Sequence, residues 1–195
     1  MRHEIKELLE NDETSQGDIQ AYFDKKSGAE RLEIIQHIPL RLMGRLYDLC
    51  NGAAPVTAES LVPNEAEAET TVVFAGENSI PLLSSFEKRL TRSNEKIVGY
   101  NHQGLSLVSG PGYFTAKDTA DGQVLFDYTD VPERAPAGWP AVKPNDRAGL
   151  LGASRLIYHN LHDFVRRVST DGGVLIGTAT RLGKPMNSYF ILARK

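Results

Sequence analysis

Near residue 70 the period of the hydrophobic pattern changes, and that change restricts the fold more than any other feature of the chain. Before it, apolar residues recur at three- and four-residue intervals, the repeat of an amphipathic helix. Ile5, Leu8 and Leu9 form one such set, and Ile19, Tyr22 and Phe23 another, with Asp18 as the expected N-cap. Ser27 and Glu30 have capping-box spacing ahead of Leu32, Ile34, Ile35 and Ile38. Pro39 is expected to interrupt that helix, because it lacks an N–H and clashes with the preceding turn. Leu42, Met43, Leu46, Leu49 and Cys50 continue the apolar face until Asn51-Gly52 stops it.

After residue 70 the repeat is two, the period of a strand with one buried face. Strand-like runs are expected at Thr70–Ala75, Phe86–Arg92, Ile97–His102, Leu105–Ser109, Tyr113–Lys117, Gln123–Tyr128, Phe164–Ser169, Val174–Thr180 and Ser188–Ala193. Ser93-Asn94, Gln103-Gly104, Asp121-Gly122 and Asp171-Gly172-Gly173 are hairpin punctuation between them. Roughly eight strands at this spacing predict an antiparallel meander closed into a barrel. The expected fold is therefore mainly β with N-terminal helices (α+β). A helical segment over 1–52 and an acidic, alanine-rich connection over 53–69 precede an antiparallel β-barrel over 70–195. One further helix is expected at Ala148–Asn160.

Charge follows the same division. Residues 1–70 carry 7 Lys+Arg against 14 Asp+Glu, and residues 71–195 carry 15 against 11. The whole chain of 195 residues has a net charge of −3, which argues against a generally basic nucleic-acid binder. The first residues, MRHEIKELLENDE, have no apolar stretch of the secretory kind, and no run approaches the length of a membrane span. Cys50 is the only cysteine, so neither an intrachain disulfide nor a thiolate zinc site is expected, and a reducing cytoplasm is the simplest compartment.

Chemical motifs are few. GxGxxG is absent, Gly110-Pro111-Gly112 has no following P-loop lysine, and no serine sits in GxSxG. No cofactor is expected. His159 and His162 would share a helical face, but without HExxH or a third ligand at a telling spacing no metal site is assigned. Barrel strands point alternate residues inward. Either Tyr100 and His102 or Asn101 then faces the lumen, and an inward polar group would orient a ligand in an apolar pocket. Lys88, Tyr100, His102, Asp127 and Arg166 are the strand residues expected at such a site. Trp139, in the proline-rich loop 130–147, is expected to lie over one mouth. Phe86, Leu90, Tyr100, Phe114, Phe126, Phe164 and Phe190 are the expected wall residues.

The segment 156–195, LIYHNLHDFVRRVSTDGGVLIGTATRLGKPMNSYFILARK, resembles the end of the lipocalin-like proteins of the GXWXG-type domain family. The matching positions are Tyr158, Phe164, Arg166, Arg167, Val168, Gly177, Gly183, Tyr189, Phe190 and Arg194, and LLSSFEKRL at 82–90 resembles that family's Lys-Arg-aromatic strand. The family's naming tryptophan motif is absent. The resemblance implies a calycin-type barrel with an internal pocket and transfers no catalytic residue. The expected function is non-covalent binding of a small, largely apolar or amphiphilic molecule. The alternatives are an enzyme using the same cavity, with Tyr100, His102 and Asp127 as acid–base groups, and a module that docks a partner through its N-terminal helices.

Overall fold

The computed structural model describes residues 2–63, 70–79, 85–93, 95–104, 110–145 and 154–195. Four α-helices come first: α1 (Arg2–Glu10), α2 (Gln16–Asp24), α3 (Gly28–Ile35) and α4 (Met43–Leu49), with a 3-10 turn at Leu40–Leu42 directly after Pro39. The Ser27–Glu30 capping box opens α3 as the spacing predicts. At α2 the capping residue is Ser15, three positions before Asp18. Asp18 instead occupies the third helical position, and its carboxylate accepts the Ser15 backbone N–H at 2.9 Å. A short α5 (Ala58–Leu61) lies inside the acidic, alanine-rich connection. No helix among the described residues is long and apolar enough to cross a membrane.

Eight strands follow: β1 (Val72–Asn78), β2 (Ser85–Ser93), β3 (Lys96–His102), β4 (Tyr113–Asp118), β5 (Val124–Asp127), β6 (Leu161–Arg167), β7 (Val174–Arg181) and β8 (Lys184–Arg194). Each pairs antiparallel with the next, and β8 pairs with β1, so the sheet closes without an edge. A helix α6 (Ser154–Tyr158) precedes β6. The expected strand at Leu105–Ser109 and the first six residues of the expected helix at Ala148–Asn160 lie outside the described residues. That helix ends earlier than its apolar pattern suggests. Asn160 turns the chain at φ 52°, and β6 begins at Leu161, three residues before the expected start. His162 consequently sits on a strand and not on a helical face with His159. Among the described residues, no three His, Cys, Asp or Glu side chains gather as a metal site.

The barrel has one apolar core inside and one outside. Phe74, Leu90, Phe114, Val124, Phe126, Val165, Leu175 and Leu192 fill the lumen. The outer core forms where Ile5, Leu9, Ile19, Phe23, Ile34, Ile35, Met43 and Leu46 from the helices meet Val174, Ile176, Ile191 and Ala193 on the outer face of β7 and β8. This is why β7 reads as a nearly continuous apolar run: both of its faces are covered. Two glycines set the inner packing. A β-carbon at Gly99 would stand 2.5 Å from the Phe114 ring, and one at Gly177 would collide with Phe190. Each ring therefore lies against the barrel wall at a place where only glycine leaves room.

Candidate functional site

The inward register decides which polar groups reach the lumen. Phe86, Lys88 and Leu90 alternate on β2, Ile97, Gly99 and Asn101 on β3, and Leu161, Asp163 and Val165 on β6. Val124 and Phe126 point inward on β5, and Tyr128 continues their alternation just past its end. The four polar members, Lys88, Asn101, Tyr128 and Asp163, meet inside the barrel. Lys88 Nζ donates to Asn101 Oδ1 at 3.0 Å, to Tyr128 Oη at 2.6 Å and to Asp163 Oδ2 at 3.0 Å. Asn101 Nδ2 donates to Tyr128 Oη at 2.9 Å, and Tyr128 Oη donates in turn to Asp163 Oδ2 at 3.0 Å. Lys88 is 1 % exposed and Asp163 5 %, so this is a buried ion pair held inside a complete hydrogen-bond ring.

Aromatic faces complete the shell. The rings of Phe86, Phe114, Phe126, Tyr128 and Phe190 have centroids 4.9–5.6 Å from Lys88 Nζ, at the range where a ring quadrupole attracts a cation. Burial pulls the lysine ammonium below its ordinary range, and the Asp163 carboxylate opposes that pull. Burial, with the Asp163 charge beside it, pushes the Tyr128 phenol well above the usual tyrosine value, so it keeps its proton as a donor.

Above this cluster lies a cavity of about 260 Å³. Phe86, Phe190, Leu161, Ile157 and Ala179 give it apolar walls, and Lys88, Asn101, Tyr128 and Asp163 form its polar floor. Helix α6 covers one side. Tyr158 stacks on Tyr128 with centroids 5.4 Å apart and planes at 13°, and its hydroxyl accepts from Gln103 Nε2 at 3.0 Å. Arg181 at the mouth ties the helix down through Nη2 to the Ile157 carbonyl at 2.7 Å. Leu156 and Met186 line the opening and are exposed.

Of the residues expected at a site from sequence, Lys88 lines this cavity and the other five lie elsewhere. Tyr100 is one residue out of phase with Asn101 and faces outward, between the rings of Trp139 and Tyr113. His102 is also outward and exposed, paired across the sheet with Glu87. Asp127 stands on the outer face between Lys117 Nζ at 2.7 Å and the Thr129 N–H at 2.9 Å, with His162 Nε2 at 3.3 Å. Burial would raise its carboxyl, but the bonds from Lys117 and Thr129 hold it down at about 2. Arg166 sets its Cζ over the Tyr47 ring, 3.8 Å from the centroid, and donates to the Tyr47 carbonyl at 2.8 Å, so it fastens α4 to the barrel. Trp139 packs on the outer wall, 4.7 Å from the Tyr100 ring, and donates from Nε1 to Thr71 Oγ1 at 3.0 Å. Phe164, an expected wall residue, is likewise on the outward phase of β6, opposite in phase to Asp163 and Val165.

The floor residues outside the expected set are Asn101, which the sequence offers only as the alternative inward residue of its strand, Tyr128 and Asp163. Their signal was present in the alternation. Ile97-x-Gly99-x-Asn101, Val124-x-Phe126-x-Tyr128 and Leu161-x-Asp163-x-Val165 each set one polar group in an apolar phase, as Phe86-x-Lys88-x-Leu90 does for Lys88. The eight-stranded antiparallel closure agrees with a lipocalin-like barrel. No protein-family model matches the chain, and no curated protein matches it.

Proposed function

We propose that the protein binds a small, largely apolar molecule non-covalently in the barrel cavity. The observation that carries this reading is a mainly apolar-walled space above a buried polar floor, open at one end of an otherwise filled lumen. Ligand sites in proteins have this composition: mostly apolar walls, with a few fixed polar groups that set orientation. The resemblance of residues 156–195 to the lipocalin-like GXWXG-type family supports the same reading. The N-terminal helices spend their apolar faces on β7 and β8, which weighs against a role for those faces in docking a partner.

Native mass spectrometry of the protein purified from its own host tests the proposal. A co-purifying small molecule is expected. It should be absent from Ala179→Trp, whose indole would occupy the space beside Leu161 and Phe190. A bound molecule retained by a folded Ala179→Trp protein places the ligand elsewhere and removes the cavity reading.

A further inference from the structure

The hydrogen-bond inventory of the polar floor narrows the ligand class. An ammonium has three donors, and Lys88 has spent all of them on Asn101, Tyr128 and Asp163. The Tyr128 hydroxyl accepts twice and donates once, so it too is complete. Asp163 has spent only Oδ2. No donor among the described residues reaches Oδ1, although the residue is 5 % exposed and borders the cavity. Asn101 retains one N–H after its bond to Tyr128. The floor therefore offers a bound molecule one strong acceptor and one donor, the complement of a hydroxyl group.

Charge adds a second restriction. The positive charge of Lys88 is balanced by Asp163 at 3.0 Å, so the floor is neutral as a unit. A charged head placed on it would be buried without a counter-ion, which is strongly unfavourable. Lys88 is thus not free to hold an anionic head group. Arg181 has no acidic partner among the described residues, but it stands at the mouth, away from the floor. Size is the third restriction. An apolar cavity of ~150 Å³ accepts benzene, so about 260 Å³ corresponds to roughly ten heavy atoms on that scale.

Building on the cavity reading, we propose that the site selects a neutral, hydroxyl-bearing molecule, a phenol or alcohol of roughly ten heavy atoms. Its hydroxyl points down the barrel and donates to Asp163 Oδ1, and its apolar body lies between Phe86, Phe190, Leu161 and Ile157.

Calorimetric titration of the full chain with four probes tests this: 4-propylphenol, 4-propylanisole, propylbenzene and 4-ethylbenzoate. The phenol is expected to bind about tenfold or more tightly than the anisole and the hydrocarbon, because only it can donate to a charged acceptor. The benzoate is expected to bind weakest. In Lys88→Met/Asp163→Leu, which removes both charges together, the hydrocarbon should still bind and the phenol should lose its advantage. Equal binding of phenol, anisole and propylbenzene to the natural protein overturns the hydroxyl assignment and leaves the cavity reading standing. Tightest binding of the benzoate overturns the neutral floor in favour of an acid held at Arg181. A phenol advantage that survives in the folded double variant removes Asp163 as the acceptor. No binding of any probe at millimolar concentration removes the cavity reading itself. The series on the natural protein decides the question even if the double variant does not fold.

Discussion

The two ends of the barrel lumen are built on the same strands and in the same register, yet one is solid and the other is hollow. At the solid end, Leu90, Ile97, Ala116, Val124, Val165 and Leu175 interdigitate, and apolar side chains fill the axis as they do in small barrels generally. At the hollow end, three strands and the residue just past a fourth carry a polar group in the inward phase, and these groups are fixed by direction. Lys88, Asn101, Tyr128 and Asp163 must keep their ring of bonds, so they cannot shift to fill a gap. The rings that could project over them are laid against the wall instead, Phe190 over Gly177 and Phe86 over Gly76. Directional bonding on the floor and glycine on the walls together leave the space open.

The largest expected effects come from breaking either end at its centre. Phe114→Ala removes a fully buried ring that separates the packed end from the floor, and should cost about 3–5 kcal/mol in denaturant unfolding. Asp163→Ala should cost a similar ~3–5 kcal/mol for a different reason, since it strands the Lys88 ammonium in an apolar cage. The ends then part company. Removing both charges in Lys88→Met/Asp163→Leu should restore most of that loss, because an apolar pair of similar volume needs no desolvated partner. If the double variant is as unstable as Asp163→Ala, the floor contributes to stability through more than charge balance.

A middle-sized effect tests the wall. Gly177→Ala places a β-carbon into the Phe190 ring, which has to swing toward the axis. Overpacking of this kind should cost about 1–3 kcal/mol and should reduce affinity for propylbenzene as the ring enters the cavity. Loss of stability with unchanged affinity would mean that the cavity does not depend on where that ring lies.

Much of the fold was legible because two periods, helical before residue 70 and alternating after it, are both written in side-chain order. The alternation marks the strands, and its phase decides which residues face inward. Leu161, Asp163 and Val165 form an inward triplet, and starting the strand at Phe164 hides it, because the turn at Asn160 leaves no glycine or proline to mark the boundary. Tyr100 and His102 share the outward phase of β3, and the inward position between them holds Asn101. Arg166, an expected ligand contact, binds the Tyr47 carbonyl on the outer face, a contact between residues 119 positions apart that no local pattern encodes. Sequence order also carries no information on volume, so the distinction between a solid and a hollow end emerged only with the rings in place.

A smaller effect is expected outside the barrel, on the reverse side of the floor. Asp127 is held at about 2 against an ordinary value of 3.8. A depressed carboxyl contributes stability that is complete above its unfolded value and is lost as pH falls through its folded one. Asp127→Asn should therefore lower stability by about 1–2 kcal/mol near pH 6, with the difference shrinking between pH 4 and pH 2. Because Asp127 faces away from Tyr128 and Asp163, affinity for 4-propylphenol at pH 6 should stay unchanged. A variant that loses both stability and affinity would couple the two faces of the sheet.

The smallest effect concerns Trp139. Its ring rests on Tyr100 and Tyr113, and its Nε1 donates to Thr71 Oγ1 at 3.0 Å, so β3 and its neighbours stand between the indole and the cavity. Trp139→Phe keeps an aromatic face on Tyr100 and loses one partly exposed hydrogen bond, which should cost about 0.5–1 kcal/mol. Trp139 is the only tryptophan, so its emission reports this outer site alone. Half-covered by the two tyrosines, it should shift to the red on unfolding. Saturating 4-propylphenol should leave its wavelength and intensity unchanged, because a ligand on the polar floor touches neither the indole nor the rings beneath it. An emission change that follows the calorimetric binding curve would bring the loop 130–145 over the mouth in the liganded protein. The hollow end would then be closed by a tryptophan that the unliganded barrel keeps on its outer wall.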